Sequence, residues 1–350
     1  MPVRLMVVDD SAFMRKIITD IAKKIDGVEV VGIARNGVDA LEAIPRLKPN
    51  LITLDIEMPK MDGIETLKRI KRQYNIPVIM LSAYSKAGSD VTMEALKIGA
   101  IDFIEKTATM GDAGVENLKH ELEAKLKIGD SSEKVEKIKP SSAGESKMKG
   151  EAPFVQRPAT KTVAAGKVDA VVIGASTGGP KVLFDLISKL PSLLTVPVFI
   201  VQHMPKGFTS SFAERLDKEC PVKVVEATDN MPVQRGIVYV APGDYHMRVE
   251  NNKIKLDQGD KIHGVRPAVD YLFESAADKY GRNLLAVVLT GMGKDGTRGL
   301  VKVKEKGGAT IAQNEETCVV YGMPRSAVEA GAVDEVMSPL EIAKNIKNSI

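Results

Sequence analysis

Short apolar runs alternate with stretches of helical period through the first 128 residues. Residues 5–8, 28–34, 51–54, 78–81 and 102–104 read as strands, with amphipathic segments between them. Five strands alternating with five helices predict a doubly wound parallel sheet, because a strand that returns through a helix comes back parallel. Past residue 128 the pattern lapses. Residues 129–167 are dominated by Ser, Lys, Glu and Pro, and Phe154 is their only aromatic. Such a stretch buries too little apolar surface to offset the entropy of ordering, so a flexible linker is expected. From residue 168 the strands resume: 168–173, 196–202 and 284–290 read as buried strands and 309–312 and 335–337 as short later ones. Residues 247–250 and 253–256 read as a hairpin turning at Asn251-Asn252, and 339–350 as a closing helix. The expected fold class is α/β, with two doubly wound parallel-sheet domains, 1–128 and a larger 168–350, joined by the linker 129–167.

In a doubly wound sheet, functional side chains gather at the carboxyl ends of the strands. Asp9 and Asp10 close the first strand here, Asp55 closes the third, Ser82 follows the fourth and Lys106 the fifth. A single loop acid is usually just solvated, but placement at the strand ends leads us to expect these five side chains to converge on one pocket. Three crowded carboxylates repel one another, and a hard divalent cation with oxygen ligands relieves that, so Mg²⁺ is expected at Asp9, Asp10 and Asp55. A carboxylate set between such a cation and a lysine can act as nucleophile toward a phosphoryl donor. Val8-Asp9-Asp10-Ser11, Leu54-Asp55-Ile56-Glu57-Met58-Pro59-Lys60-Met61-Asp62-Gly63, Leu81-Ser82-Ala83 and Lys106 together resemble the response-regulator receiver domain, whose fold is flavodoxin-like. The resemblance implies that Asp55 is the phospho-acceptor, that Ser82 and Lys106 contact the phosphoryl group and that Phe103 is an aromatic switch. Thr107 stands where receivers usually carry proline.

In the second domain, Ile173-Gly174-Ala175-Ser176-Thr177-Gly178-Gly179-Pro180 follows a buried strand and opens a helix, which puts Ser176 on a strand-to-helix turn. The spelling Gly174-x-Ser176-x-Gly178 suits two chemistries. One is an elbow that exposes a nucleophilic hydroxyl, the other a glycine loop that cradles a phosphate at a helix N-terminus, and this stretch alone favours neither. The next strand delivers His203 at its carboxyl end, and 284–290 runs into Gly291-Met292-Gly293-Lys294-Asp295-Gly296. Three strands thus end in a hydroxyl, an imidazole and a carboxylate, the side-chain types of nucleophile, general base and orienting acid. His246 and His263 compete with His203 for the role of base, and Asp295 could equally be a helix N-cap. A nicotinamide site expects an acidic residue ~20 residues past the glycines, and residues 191–205 contain no Asp or Glu. The order Ser, His, Asp also differs from that of the α/β-hydrolases, so that fold is not implied.

The Ser176 stretch, Gln202-His203-Met204-Pro205, Ala241-Pro242-Gly243, Arg266-Pro267-Ala268-Val269-Asp270 and Leu289-Thr290-Gly291-Met292-Gly293-Lys294-Asp295-Gly296 together resemble the catalytic domain of chemotaxis protein-glutamate methylesterases, the CheB family. With a receiver in front and a tether between, the resemblance spans essentially the whole chain. It implies a phosphorylation-activated esterase that releases methanol from receptor glutamate methyl esters and deamidates certain glutamines. Ser176, His203 and Asp295 would form its triad and pass through an acyl-enzyme. The backbone N–H of Thr177, next after the nucleophile, suits an oxyanion donor, and by the family pattern Met292 supplies another. Arg266 is a candidate for docking substrate. Methyl-accepting chemoreceptors are the implied substrates, a chemotaxis histidine kinase the phosphodonor, and receptor clusters the location. No cofactor is expected in the esterase site, and the unphosphorylated receiver is expected to cover the active-site face.

Composition narrows the class further. A net charge of +3 is too small to argue for nucleic acid or a membrane surface. No apolar run reaches the ~18 residues of a membrane span, so no direct membrane insertion is expected. Cys220 and Cys318 lie far apart with no metal-type spacing, which suits a reducing, cytoplasmic compartment. A DNA-binding output domain would need a helix-turn-helix pattern or a basic stripe, and neither is present. The rival that stays open is a receiver joined to a domain that only binds a partner, with Ser176 structural.

Overall fold

The computed structural model describes residues 2–83, 85–106, 112–126 and 168–350. The expected linker over 129–167, its boundaries and Thr107 lie outside the described residues. The first unit runs β1 (Val3–Val8), α1 (Ala12–Ala22), β2 (Val28–Ala34), α2 (Gly37–Leu47), β3 (Leu51–Asp55), α3 (Gly63–Gln73), β4 (Val78–Ala83), α4 (Lys86–Ile98), β5 (Asp102–Lys106) and α5 (Asp112–Leu126). Its strands are all parallel in the order β2-β1-β3-β4-β5. Local chemistry starts the helices: Ser11, Asn36, Asp62 and Ser85 each cap one, accepting a backbone N–H three residues on.

The second unit runs β6 (Ala170–Ala175), α6 (Gly179–Ile187), β7 (Val198–Gln202), α7 (Phe208–Glu219), β8 (Lys223–Glu226), β9 (Ile237–Val240), β10 (His246–Glu250), β11 (Lys253–Asp257), α8 (Val269–Tyr280), β12 (Leu284–Val288), α9 (Thr297–Glu305), β13 (Ala309–Gln313), α10 (Met323–Glu329), β14 (Glu335–Met337) and α11 (Pro339–Ser349). Seven strands form a parallel sheet in the order β14-β13-β12-β6-β7-β9-β8, and β10-β11 is the antiparallel hairpin expected at Asn251-Asn252. Both asparagines have positive φ, which a two-residue turn of this kind requires. The pattern reading had not anticipated β8 and β9. Each is four residues long, and β8 forms one edge of the sheet with β9 next to it.

β6, β7 and β12 are buried along their whole length and lie side by side at the middle of the sheet. Their side chains alternate between two apolar layers, one holding Ile173, Ile200 and Val287, the other Val172, Phe199 and Ala286. The first layer does not stop at the domain. It continues through α6 and α7 into the receiver, taking in Leu96 and Phe103. Phe103 stacks on Phe208 with ring centroids 4.4 Å apart, and Lys97 Nζ reaches Glu219 Oε2 at 2.7 Å. Val319 and Val320 of the second unit pack against the receiver's other apolar cluster. No helix among the described residues is long and apolar enough to cross a membrane.

Ile173 is fully buried and sits between Val287 and Ile200 in register. Ile173→Ala should therefore cost about 2–5 kcal/mol through lost contacts and the cavity left behind, read as a lower urea midpoint at unchanged m-value.

Candidate functional sites in the two domains

The receiver's sheet edge brings together the residues expected there. Asp9, Asp10 and Asp55 place one carboxylate oxygen each within 4.8 Å of one another. Asp10, Asp55, Ser82 and Lys106 line a cleft of about 170 Å³. Lys106 Nζ lies 2.6 Å from Asp55 Oδ2 and 2.8 Å from Asp9 Oδ2, although the buried Asp9 oxygen has no partner in hydrogen-bond geometry among the described residues. Burial pushes the Asp55 carboxyl up to about 6; Lys106 draws it down, while Asp9 and Asp10 add to the rise. Excess negative charge, three carboxylates against one lysine, and an all-oxygen donor set fit a small hard cation such as Mg²⁺. The Ser82 hydroxyl faces away from this task here: it donates to the Gly88 carbonyl at 3.2 Å and accepts from Thr92 Oγ1 at 2.7 Å. Phe103 lies buried against Phe208 of the second unit.

At the edge of the larger sheet, register does the positioning. Gly174 pairs with Val288 and Ala175 with Gln202, so Ser176, His203 and the loop after β12 leave the sheet together. Ser176 N–H donates to Thr290 O at 3.0 Å, and His203 N–H donates to Ala175 O at 3.1 Å. Gly291 faces Ser176 so closely that a Cβ there would stand 2.7 Å from the Ser176 Cβ, which explains a glycine at that position. His203 Nε2 meets Asp295 Oδ2 at 2.8 Å, with the Asp295 side chain 2% exposed. The His203 Nδ1 is thereby the ring nitrogen not committed to the carboxylate. Ser176 Oγ has no hydrogen-bond partner among the described residues, a common state for such hydroxyls without substrate.

Asp295 also sits on the N-terminus of α8. Its Oδ2 accepts from Val269 N–H at 2.7 Å, and its Oδ1 accepts from Asp270 N–H at 3.0 Å and Gly296 N–H at 2.9 Å. Burial by itself would raise this carboxyl. The His203 hydrogen bond and charge, with the Val269 and Asp270 N–H groups, outweigh burial and hold it below the usual carboxylate range.

The chain as a whole is similar to known proteins. A family model described as CheB methylesterase matches residues 171–346, and one described as response regulator receiver domain matches residues 5–113. The protein-glutamate methylesterase/protein-glutamine glutaminase of Clostridium acetobutylicum is 45% identical over 348 residues, covering 98% of this chain and 96% of its own. The chain belongs to the CheB methylesterase family. A Thermotoga maritima protein with the same name as the Clostridium relative is 43% identical over 349 residues, covering 98% and 97%. The crystal structure of the Thermotoga maritima CheB methylesterase catalytic domain matches with a TM-score of 0.50 and 48% identity, over 51% of this chain and 97% of that one. This chain therefore carries a CheB methylesterase domain, a hydrolase domain, behind a response regulator receiver.

Within this CheB-family domain the structure separates the competing candidates. His246 uses both ring nitrogens: Nδ1 accepts from Ala268 N–H at 3.1 Å and Nε2 donates to Asp260 O at 3.0 Å, with Tyr271 stacked on the ring. His263 is exposed in a turn. The N-cap of α9 is Gly296, so Asp295 does not cap the helix that follows it. Arg266 is not free to dock substrate, because its guanidinium is taken up by Asp244 Oδ1 and the Gln258 and Gly259 carbonyls. Three residues that the quoted motifs contain carry roles that the motifs do not assign. Asp270 is buried and accepts Gly299 N–H at 2.8 Å, which closes α9 as Asp295 closes α8. Thr290 donates to Thr177 O at 3.0 Å, and Gln202 donates to Ser176 O at 2.9 Å. For Gln202 and Thr290 the available signal was a polar residue closing an apolar run; Asp270, in the first turn of α8, offered none.

Because the folded carboxyl of Asp295 lies below its unfolded value, its ionised form stabilises the fold at neutral pH, and that contribution fades as pH falls through the folded value. Asp295→Asn should cost about 1–3 kcal/mol at pH 7, and its deficit relative to wild type should shrink below pH ~3.9, measured by urea unfolding across pH.

Proposed function

We propose that the second domain hydrolyses γ-methyl esters of chemoreceptor glutamates, releasing methanol, and deamidates specific receptor glutamines, releasing ammonia. The observation that carries this reading is the His203–Asp295 pair, its carboxylate buried and its imidazole partly exposed, beside a serine whose turn is fixed in register with it; the names of the relatives set the substrate class. His203, neutral with its proton on Nε2 toward Asp295, takes the Ser176 proton at Nδ1 while Ser176 Oγ bonds to the ester carbonyl carbon. Charge collects on the carbonyl oxygen, where the N–H groups of Thr177 and Met292 are the donors. Neither N–H has a partner among the described residues. The ester C–O bond then breaks, and methanol leaves with the proton held by His203. Water attacks the acyl carbon by the reverse path, freeing the glutamate side chain and restoring Ser176. No step of this scheme passes through a metal.

Control falls to the receiver. Asp9, Asp10 and Asp55 would hold Mg²⁺, which when bound offsets the carboxylate and phosphoryl charges. Asp55 accepts the phosphoryl group from a chemotaxis histidine kinase, with Lys106 pairing to it and Ser82 turning from Gly88 and Thr92 to meet it. Two contacts support gating of the esterase by this event. Phe103 stacks on Phe208 at the head of α7, five residues past His203, and Val319 packs both on the receiver cluster and beside Gly178 of the nucleophile turn. Phosphorylation shifts the population toward an arrangement that exposes the Ser176 edge. The receptor substrates place the protein at receptor clusters. The rival reading, a domain that merely binds a partner, gives no reason for an imidazole paired to a buried carboxylate beside an accessible serine.

Methanol release from methylated receptor membranes tests the triad. Ser176→Ala and His203→Ala should each lose about 10⁴-fold or more and Asp295→Ala somewhat less; near-normal release by Ser176→Ala would sink the assignment. A small-molecule phosphodonor with Mg²⁺ should raise the wild-type rate. Chelation with EDTA or the substitution Asp55→Asn should remove that rise while leaving the basal rate in place, and equal stimulation of Asp55→Asn would rule out gating through this residue.

A further inference from the structure

Gln202 ends β7, a strand otherwise made of Val, Phe and Ile, and is 2% exposed. A polar amide at the floor of a catalytic edge calls for an account of its hydrogen bonds. Nε2 donates to Ser176 O at 2.9 Å and to His203 O at 3.2 Å, whereas Oε1 is buried with no partner among the described residues. Both partners are carbonyls, so only the NH₂ end can satisfy them, which settles the orientation of the amide. Space for it is made by Gly179, where a Cβ would stand 2.1 Å from Gln202 Oε1.

The Ser176 carbonyl belongs to the same peptide as the Thr177 N–H. In a planar trans peptide these two groups point in opposite directions, so whatever fixes the carbonyl aims the N–H. Gly179 N–H holds that carbonyl from within the turn at 2.8 Å, and Gln202 holds it from the neighbouring strand. A donor on the carbonyl also polarises the peptide and strengthens its N–H as a donor. The second Nε2 contact ties the main chain of His203 to the same amide. We infer that Gln202 is a positioning residue that aims the Thr177 N–H at the developing oxyanion and locks the nucleophile and base turns to each other. The inference rests on the reading of Ser176 as nucleophile and Thr177 as oxyanion donor. It assigns no contact with substrate to Gln202.

The test uses the full-length protein, activated with a small-molecule phosphodonor, on a receptor-derived peptide carrying a glutamate γ-methyl ester and on the matching thionoester. Sulfur accepts hydrogen bonds poorly, so the oxygen-to-sulfur rate ratio reports the oxyanion donors and cancels general effects of folding and binding. Gln202→Met removes both donors at similar volume. Gln202→Asn keeps an amide but withdraws it by about 1.5 Å, and carries the test where Gln202→Met does not fold. The expected result in either variant is a kcat on the oxygen ester lower by about 10- to 100-fold, KM within about twofold of wild type, and an oxygen-to-sulfur ratio smaller by about fivefold or more. A kcat within about threefold of wild type, or a loss shared equally by both esters, would overturn the inference. Ser176→Ala run alongside separates the two levels. Turnover persisting there removes the nucleophile reading itself, whereas a silent Ser176→Ala beside unaltered Gln202 variants removes only the role of Gln202.

Discussion

Parallel pairing of β6 with β12 on one side and β7 on the other is the constraint on which the catalytic edge depends. Each pair is in continuous register, with Gly174 opposite Val288 and Ala175 opposite Gln202. A slip of one residue would turn Ser176 or His203 to the other face of the sheet. That register is held by two apolar layers, so the hydrophobic core and the geometry of the edge are one problem solved together. Small residues then let the turns close on each other, Gly291 against Ser176 and Gly174 against Val269.

Buried charge is handled differently in the two domains. In the esterase domain, Asp295 is seated among the Val269, Asp270 and Gly296 N–H groups at the start of α8, whereas Asp270 accepts only Gly299 N–H at the start of α9 and burial raises its carboxyl. Asp295 stays ionised and can hold the imidazole, a state desolvation alone would not allow. In the receiver, one lysine stands beside three carboxylates, and the shortfall of positive charge is what suits the site to a cation. One site is finished in the chain itself. The other is left electrostatically incomplete.

The two are joined through apolar packing. The layer behind the Ser176 edge continues through α7 into the receiver, and Phe103 from β5 ends in a stack on Phe208. This stack sits at the head of α7, five residues past His203, so the apolar contact between the two units lies close to the His203 loop. The Lys97–Glu219 ion pair beside it is partly exposed and adds little to that contact.

Alternation of apolar runs and helical stretches was enough to read both sheets, because a strand buried on both faces is recognisable as an unbroken apolar segment. The strand-end positions of Asp9, Asp55, Lys106, Ser176 and His203 followed directly, since a parallel sheet collects its carboxyl ends along one edge. β8 and β9, at one edge of the larger sheet, were not among the strands read from the pattern, although the three-residue β14 was. The choice among histidines was not legible: His203 and His246 both adjoin strands, and only the fold shows that His246 has both nitrogens occupied while His203 keeps one free. Arg266 looked available in the sequence and is engaged by Asp244, a contact across 22 residues. Gln202, Thr290 and Asp270 act through backbone groups 26, 113 and 29 residues away, and such partners carry no local pattern. The sequence by itself determined which residue types reach each sheet edge, because burial and chain direction are written in local periodicity. Tertiary structure alone decided which of them meet and which are already occupied, because hydrogen bonds between distant strands depend on register.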